Sequence, residues 1–239
     1  MPKKNNLTND IKYDNASWSF DGKTVKKFDY HIQQSIPLYN LAHDLTLKFS
    51  DFFLSEKSTI YDLGCSTGTF LNLISKRHSK KKHQFIGIDV IKKMCVAAKK
   101  KNKKNINVKI INSKLENVKF KNSSIITSFF TIQFIHPSKR QLLINKVFKS
   151  LNWGGGFFMF EKVRYPDARF QDMINQIYMD YKIDQGFSPV SILNKSRSLK
   201  GVMEPFSTNG NLQLLKRAGF KDIVTIFKFA SFEGFLAIK

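Results

Sequence analysis

Ser58–Phe70, reading STIYDLGCSTGTF, is a strand, a glycine turn and the start of a helix. Ile60, Tyr61 and Leu63 form a short apolar run with a β-branched start, the pattern of a strand buried on both faces. Asp62-Leu63-Gly64-Cys65-Ser66-Thr67-Gly68 follows, and then Phe70, Leu71, Leu73 and Ile74 recur at helical spacing. Such a turn presents backbone N–H groups and a helix N-terminus to a ligand at close range. Further on, Gln84-Phe85-Ile86-Gly87-Ile88-Asp89 reads as a second strand ending in a carboxylate. In dinucleotide-binding folds an acid at that place holds ribose hydroxyls.

The turn excludes two ligand classes. The phosphate-binding Walker pattern needs Gly-Lys-Ser/Thr, which is absent from this turn, and the dinucleotide fingerprint needs glycine where Ser66 stands. Asp62, Gly64 and Gly68 instead make Asp-x-Gly-x-x-x-Gly, with Asp89 as the later ribose acid. That looks like the nucleoside loop of class I S-adenosylmethionine (SAM) methyltransferases. SAM carries no phosphate, so its turn needs fewer glycines.

At 239 residues the default is one domain. No apolar run approaches the ~18 residues of a membrane span, and Met1–Asn6 lacks the apolar stretch of a signal peptide. Cys65 and Cys95 make neither a disulfide framework nor a metal cluster, so no metal is expected, Cys65 is expected to pack in a crowded turn, and a reducing cytoplasm is the simplest compartment. The formal charge of +22 concentrates between Lys76 and Lys104, with Lys80-Lys81-Lys82 and Lys99-Lys100-Lys101 as its densest runs. The sharper reading is an RNA footprint, the plainer one solvated helix faces. Aromatic residues do not interleave with these lysines, which favours the plainer.

Around this core, residues 1–16 are read as a flexible polar tail and 17–239 as a single domain. Helices between 20 and 54 form a lid, with Pro37 at a helix start. Strands are expected near 59–63, 84–88, 108–111, 125–130 and 157–161, with helices near 67–77, 90–101 and 138–151 between them, and Trp153-Gly154-Gly155-Gly156 as a turn. Inserted helices occupy 167–200, with Phe170, Met173, Ile174, Ile177 and Tyr178 on one stripe. A helix over 211–218 ends at Gly219, and strands at 224–229 and 232–238 close antiparallel. Alternating strands and helices imply an α/β, Rossmann-like, seven-stranded and mostly parallel sheet with a C-terminal antiparallel hairpin.

Later stretches narrow the family. They are Phe130-Thr131-Ile132-Gln133-Phe134-Ile135, Pro137 to Leu143, Leu151-Asn152-Trp153-Gly154-Gly155, Glu161-Lys162, Gly201-Val202-Met203, Ala218-Gly219-Phe220 and Ala237-Ile238-Lys239. With Ser35-Ile36-Pro37-Leu38-Tyr39 and Asp62–Ser66, the chain resembles the bacterial carboxy-S-adenosyl-L-methionine synthase family from about Trp18 to Lys239. The resemblance implies a methyltransferase fold that transfers no methyl group. It implies a dimer that makes carboxy-SAM from SAM and prephenate, for use by a partner enzyme on tRNA wobble uridine. It implies cofactor contacts at Tyr39, Gly64, Cys65, Ser66 and Asp89. The chain departs from the family at three places. Lys114 and Leu115 stand where it has Asp-Ile near the adenine, Phe129 stands for Asn, and Ser196 aligns with the arginine that pairs with the extra carboxylate. Arg197 is the next residue; Arg164 and Arg169 are other cations within reach of the sequence argument.

The intact cofactor turn and the altered carboxylate grip make SAM-dependent methyl transfer to an unidentified acceptor the first expectation. His136 and Glu161, at the ends of strands four and five, are its candidate bases, with a Glu161–Lys162 ion pair as the structural alternative. Carboxy-SAM synthesis with Arg197 as the carboxylate partner is the alternative, and a non-catalytic RNA-binding or scaffold protein the second alternative. Expected cofactor-binding residues are Tyr39, Asp62, Gly64, Cys65, Ser66, Gly68, Asp89, Lys114, Leu115 and Phe129.

Overall fold

The alternating pattern folds as a single seven-stranded sheet with helices on both faces. The computed structural model describes residues 24–239; the expected tail and the first residues of the expected lid lie outside them. Helices α1 (Thr24–Ser35) and α2 (Tyr39–Ser50) come first. Then follow β1 (Thr59–Leu63), α3 (Thr69–Arg77), β2 (Gln84–Asp89), α4 (Lys92–Lys101), β3 (Val108–Asn112), β4 (Ser123–Phe129), α5 (Pro137–Ser150) and β5 (Leu151–Lys162). Helices α6 (Ala168–Asp184) and α7 (Pro189–Ser198) precede α8 (Thr208–Ala218) and the strands β6 (Asp222–Phe229) and β7 (Phe232–Ile238). Strand order is β3-β2-β1-β4-β5-β7-β6. The first five strands are mutually parallel, and β7 lies antiparallel between β5 and β6.

Alternation of side chains along each strand divides the core in two. Ile60, Phe85, Ile125, Phe158 and Phe160 pack with Ala42 and Leu47 of α2, Phe70 and Ile74 of α3 and Ala98 of α4. Tyr61, Ile86, Ile126, Phe157 and Met159 face the other way, onto Leu143, Ile144 and Val147 of α5 and Leu214 and Leu215 of α8. Residues buried on both faces explain why these strands read as continuous apolar runs.

Three local readings are corrected. Trp153–Gly156 is not a free-standing turn but part of the long β5 strand. Gly154 adopts φ +74 and donates its N–H to Lys239 O at 2.6 Å, while Lys239 N–H donates to Gly155 O at 3.1 Å. The end of the chain thus extends the sheet across the glycines. Pro37 does not start α2; it sits in the link between α1 and α2, and Leu38, left-handed at φ 56, caps the latter. The stripe on α6 divides: Phe170, Met173 and Ile177 are more than half exposed, whereas Tyr178 turns inward to the cavity described below. Helix α6 has no fully buried residue, because it covers a cavity rather than the sheet.

The dense lysine runs gain a structural reason. Lys76 and Arg77 end α3, and Lys99, Lys100 and Lys101 end α4, where cations complement the helix dipole. Lys101 Nζ also pairs with Asp29 Oδ2 at 2.6 Å, and Thr69 donates to Asp29 Oδ1 at 3.1 Å, so α1 is pinned to the start of α3. Among the described residues no helix is long and apolar enough to cross a membrane.

Candidate active site at the carboxyl ends of the strands

The parallel strands deliver Gly64, Asp89, Ser113, Lys114, Phe129 and Lys162 to one end of the sheet, where they line a cavity of about 1070 Å³. This is the end at which open α/β sheets bind ligands. A neighbouring pocket of about 20 Å³ shares Gly64, Ser66 and Phe129 and adds Tyr39, Asp62 and Cys65.

The glycine turn is a run of backbone bends. Gly64, Ser66 and Gly68 have φ of +73, +47 and +71, and Gly68 caps α3. The N–H groups of Gly64 and Cys65 donate to Ile88 O at 2.8 and 3.0 Å. The Ser66 N–H donates to Asp89 Oδ2 at 2.9 Å, and the Ile91 N–H to Asp89 Oδ1 at 2.8 Å. Asp89 therefore braces the turn from the second strand. Burial raises its carboxyl pKa and the two N–H donors pull it back. Each oxygen still has a lone pair free for a ribose hydroxyl. Changing Asp89 to Asn is expected to weaken SAM binding about 10- to 100-fold, the worth of a charge-assisted hydrogen bond. Calorimetric titration checks this, and unchanged affinity would reduce Asp89 to a brace.

Asp62 is buried beneath the turn, accepts from Thr127 Oγ1 at 2.9 Å, and is pushed up to about 7 by desolvation. Burial, with Asp62 and Asp29 nearby, also pushes up the Tyr39 hydroxyl. The Tyr39 ring lies 4.5 Å from that of His43, and His43 lies 4.5 Å from Phe129. Phe129 stacks on Phe160 at 5.0 Å, so it is an aromatic wall of both pockets. Cys65 is buried, with its thiol pushed up by desolvation.

After β3, Lys114 is exposed and lines the cavity, while Leu115 is buried along the same wall. Two residues past Lys114, Glu116 also lines it, 3.8 Å from Lys139. Glu116 places an acidic acceptor on the wall where the position after β3 carries lysine, a residue the sequence pattern did not single out.

The residues expected to do chemistry are dispersed. His136 lies on the cavity rim, but its Nδ1 accepts the Ser138 N–H and caps α5. Glu161 is buried away from the cavity, and its oxygens accept the N–H groups of Ile132 and Gln133 at 2.8 and 2.9 Å. Desolvation raises its carboxyl to about 8. It anchors the 132–134 turn that carries the cavity wall. Glu161 and Lys162 do not pair; adjacent strand residues face opposite sides, and Lys162 Nζ sits 4.4 Å over the Tyr178 ring. Arg197 is exposed and lies outside the cavity lining, whereas Ser196 and Arg164 line it. Arg169 is exposed beside Asp167.

The two ends of the site differ in charge. At the turn, Asp89 and Glu116 line the cavity beside Lys114 and Lys139, and Asp29 and Asp62 line the adjoining pocket; Lys162, Arg164, Lys182, Lys195 and Lys200, with Glu204, gather under α6 and α7. The carboxylates at the turn suit the sulfonium and ammonium of SAM, and Gly64, where a Cβ would overlap the Thr131 side chain, keeps the turn tight against the 132–134 segment. Bound there, SAM supplies an electrophilic methyl group and acidic methyl protons beside the sulfonium. Gly64, Ser66 and Asp89 would hold its nucleoside half, and Tyr39 and Asp62 its amino-acid half.

A methyltransferase domain model matches residues 60–155. A carboxy-S-adenosyl-L-methionine synthase of Staphylococcus epidermidis is 36% identical over 230 residues, 96% of this chain and 100% of that one. A synthase of the same description from Campylobacter lari is 34% identical over 93% of this chain and 94% of its own. Among solved structures, a SAM-dependent methyltransferase from Aquifex aeolicus aligns with TM-score 0.61 at 17% identity, over 92% of this chain and 99% of that one, a likeness of fold alone. By its end-to-end likeness to the synthases, this SAM-dependent transferase belongs to the carboxy-S-adenosyl-L-methionine synthase family.

Proposed function

We propose that the chain transfers a carboxyl group from prephenate to the methyl carbon of SAM, forming carboxy-SAM. The observation that carries this reading is the contrast along the site: carboxylates at the cofactor turn for a cationic cofactor, continuous with a lysine-rich end for an anionic co-substrate. The step balances without a base from the protein. Loss of the ring carboxyl of prephenate as CO2 expels its ring hydroxyl as hydroxide and leaves phenylpyruvate. The hydroxide takes a methyl proton of SAM to form water, and the methyl carbon bonds to the CO2. His136 caps a helix and Glu161 holds backbone. Methyl transfer to another acceptor shares the SAM half of the site, and Ser196 at the family's arginine position favours it.

Incubation with SAM and prephenate, followed by mass spectrometry, separates the two. A product one carboxyl group heavier than SAM supports the synthase. S-adenosylhomocysteine formed only with an added acceptor supports methyl transfer. In the same assay Arg197→Ala is expected to stay within about twofold of the unaltered chain, as exposed positions do. A large loss would return Arg197 to the site.

A further inference from the structure

Lys162, Lys182 and Lys195 reach the cavity from three elements, the end of β5, α6 and α7. Lys162 Nζ and Lys182 Nζ lie 4.4 and 4.1 Å from the centroid of one ring, Tyr178. That ring is fixed against α1, because its hydroxyl donates to Ser35 O at 2.8 Å. Lys195 Nζ is 2.7 Å from His31 Nε2 and 3.5 Å from Ser35 Oγ. Lys162 and Lys182 form no ion pair with a carboxylate among the described residues.

Among the described residues, nothing around Lys162 and Lys182 supplies the missing charge. His31 on α1, Arg164 after β5, Tyr181 on α6 and Lys200 after α7 are the other titratable groups acting on the cluster, and each is neutral or cationic. Glu204 shares the cavity wall, but Asp89 and Glu116 belong to its opposite end. A tyrosine face offsets only part of what desolvating an ammonium costs. Two ammonium groups left in that state in a cavity, Lys162 and Lys182, are suited to a ligand that brings the counter-charge.

We propose that Lys162, Lys182 and Lys195 form a subsite for a dianionic carboxylate, and that filling it draws a proton into the site. The subsite rests on the lysine geometry; naming its occupant as the co-substrate rests on the synthase reading above. Two ammonium groups braced on one ring, with a third from α7, match two carboxylates rather than one. Desolvation, with Arg164 and Lys200 beside it, lowers Lys162 to about 8; desolvation and repulsion within the cluster lower Lys195 to about 8 and Lys182 well below its usual value. Desolvation holds His31 at about 3, so it stays neutral and accepts from Lys195. At pH 8 the empty cluster holds fewer than three protons. An anion favours the charged forms and raises these values, so protons enter as it binds. Affinity therefore strengthens as pH falls through about 8 and weakens above it.

The test is calorimetric titration of prephenate, and separately of succinate, into the S-adenosylhomocysteine complex at pH 8. Two buffers of different ionisation enthalpy give the proton count. Prephenate is expected to bind with net proton uptake. Lys162→Met and Lys182→Met are each expected to weaken it at least about 10-fold, as loss of a charge-assisted contact does. S-adenosylhomocysteine affinity, which reports folding, should stay within about twofold in both. Proton-neutral binding, equal prephenate affinity in both variants, or no binding of either acid overturns the subsite. Lysine-dependent succinate binding with proton uptake, but no carboxy-SAM from prephenate, keeps the subsite and sinks the synthase reading. Carboxy-SAM formation undiminished in both variants does the reverse.

Discussion

Replacing Gly64 with Ala is expected to abolish measurable SAM binding and to lower stability by about 2–4 kcal/mol. Gly64 adopts φ +73, a conformation that costs an alanine free energy by itself. An added Cβ would also overlap the Thr131 side chain, with Thr131 Cβ only 2.9 Å away and the Oγ1 nearer still. Thr131 has little room to retreat. It begins the 132–134 turn, whose next two N–H groups are bonded to Glu161. Relief would have to come from moving the turn, and with it Phe129 and Phe130, which wall the cavity. Strain and loss of the cradle thus arrive together. Chemical denaturation reads the first and SAM titration the second. An Ala variant with unaltered SAM affinity would show that the cofactor does not lie over this turn.

Arg140→Met is expected to be the most destabilising single change in the cavity's supporting shell, at roughly 3–5 kcal/mol. For a chain of this size that corresponds to a fall in Tm on the order of 10 °C. Arg140 is 1% exposed, the largest of the fully buried side chains. Its Nε donates to Ile135 O at 2.8 Å and an Nη to Gln133 O at 3.1 Å, and its guanidinium lies 4.3 Å over Phe206. It is also the cation that acts on buried Glu161. Methionine keeps the length but removes the side-chain donor to Ile135 O, leaves Gln133 O with only the Glu204 N–H, and takes the neighbouring cation from Glu161. Above about pH 8, where the Glu161 carboxyl ionises, adding Glu161→Gln in the Arg140→Met background should recover part of the loss, because it removes the uncompensated charge. Strict additivity of the two changes would show that they do not act as a pair.

The supports of the site had no local signature. Arg140 appeared in the sequence only as one residue of a helix start, and nothing in Pro137–Leu143 says that its side chain turns back into the preceding loop. Glu161 stood at a strand end, where a base would stand, yet its neighbours in space are N–H groups from a turn far away in sequence. Arg197 was attractive because it follows Ser196. Adjacent residues on a helix do not share a face, so the one lines the cavity and the other points to solvent. The glycines at 154–156 read as a turn because their pairing partner, Lys239, lies at the far end of the chain.

What the sequence by itself determined is whatever depends on near neighbours. The buried run Ile60–Leu63, the bends at Gly64 and Gly68, the acid at Asp89 and the strand–helix alternation are set by backbone sterics and side-chain period. From these followed the parallel sheet, its hairpin and the place of the cofactor turn. Tertiary structure alone decided which charges meet. Lys162, Lys182 and Lys195 come from a strand and two inserted helices, and Asp29 and His31 from a helix before the first strand. Electrostatic energy depends on distance through space, and no period or spacing along the chain encodes that distance for groups so far apart in sequence.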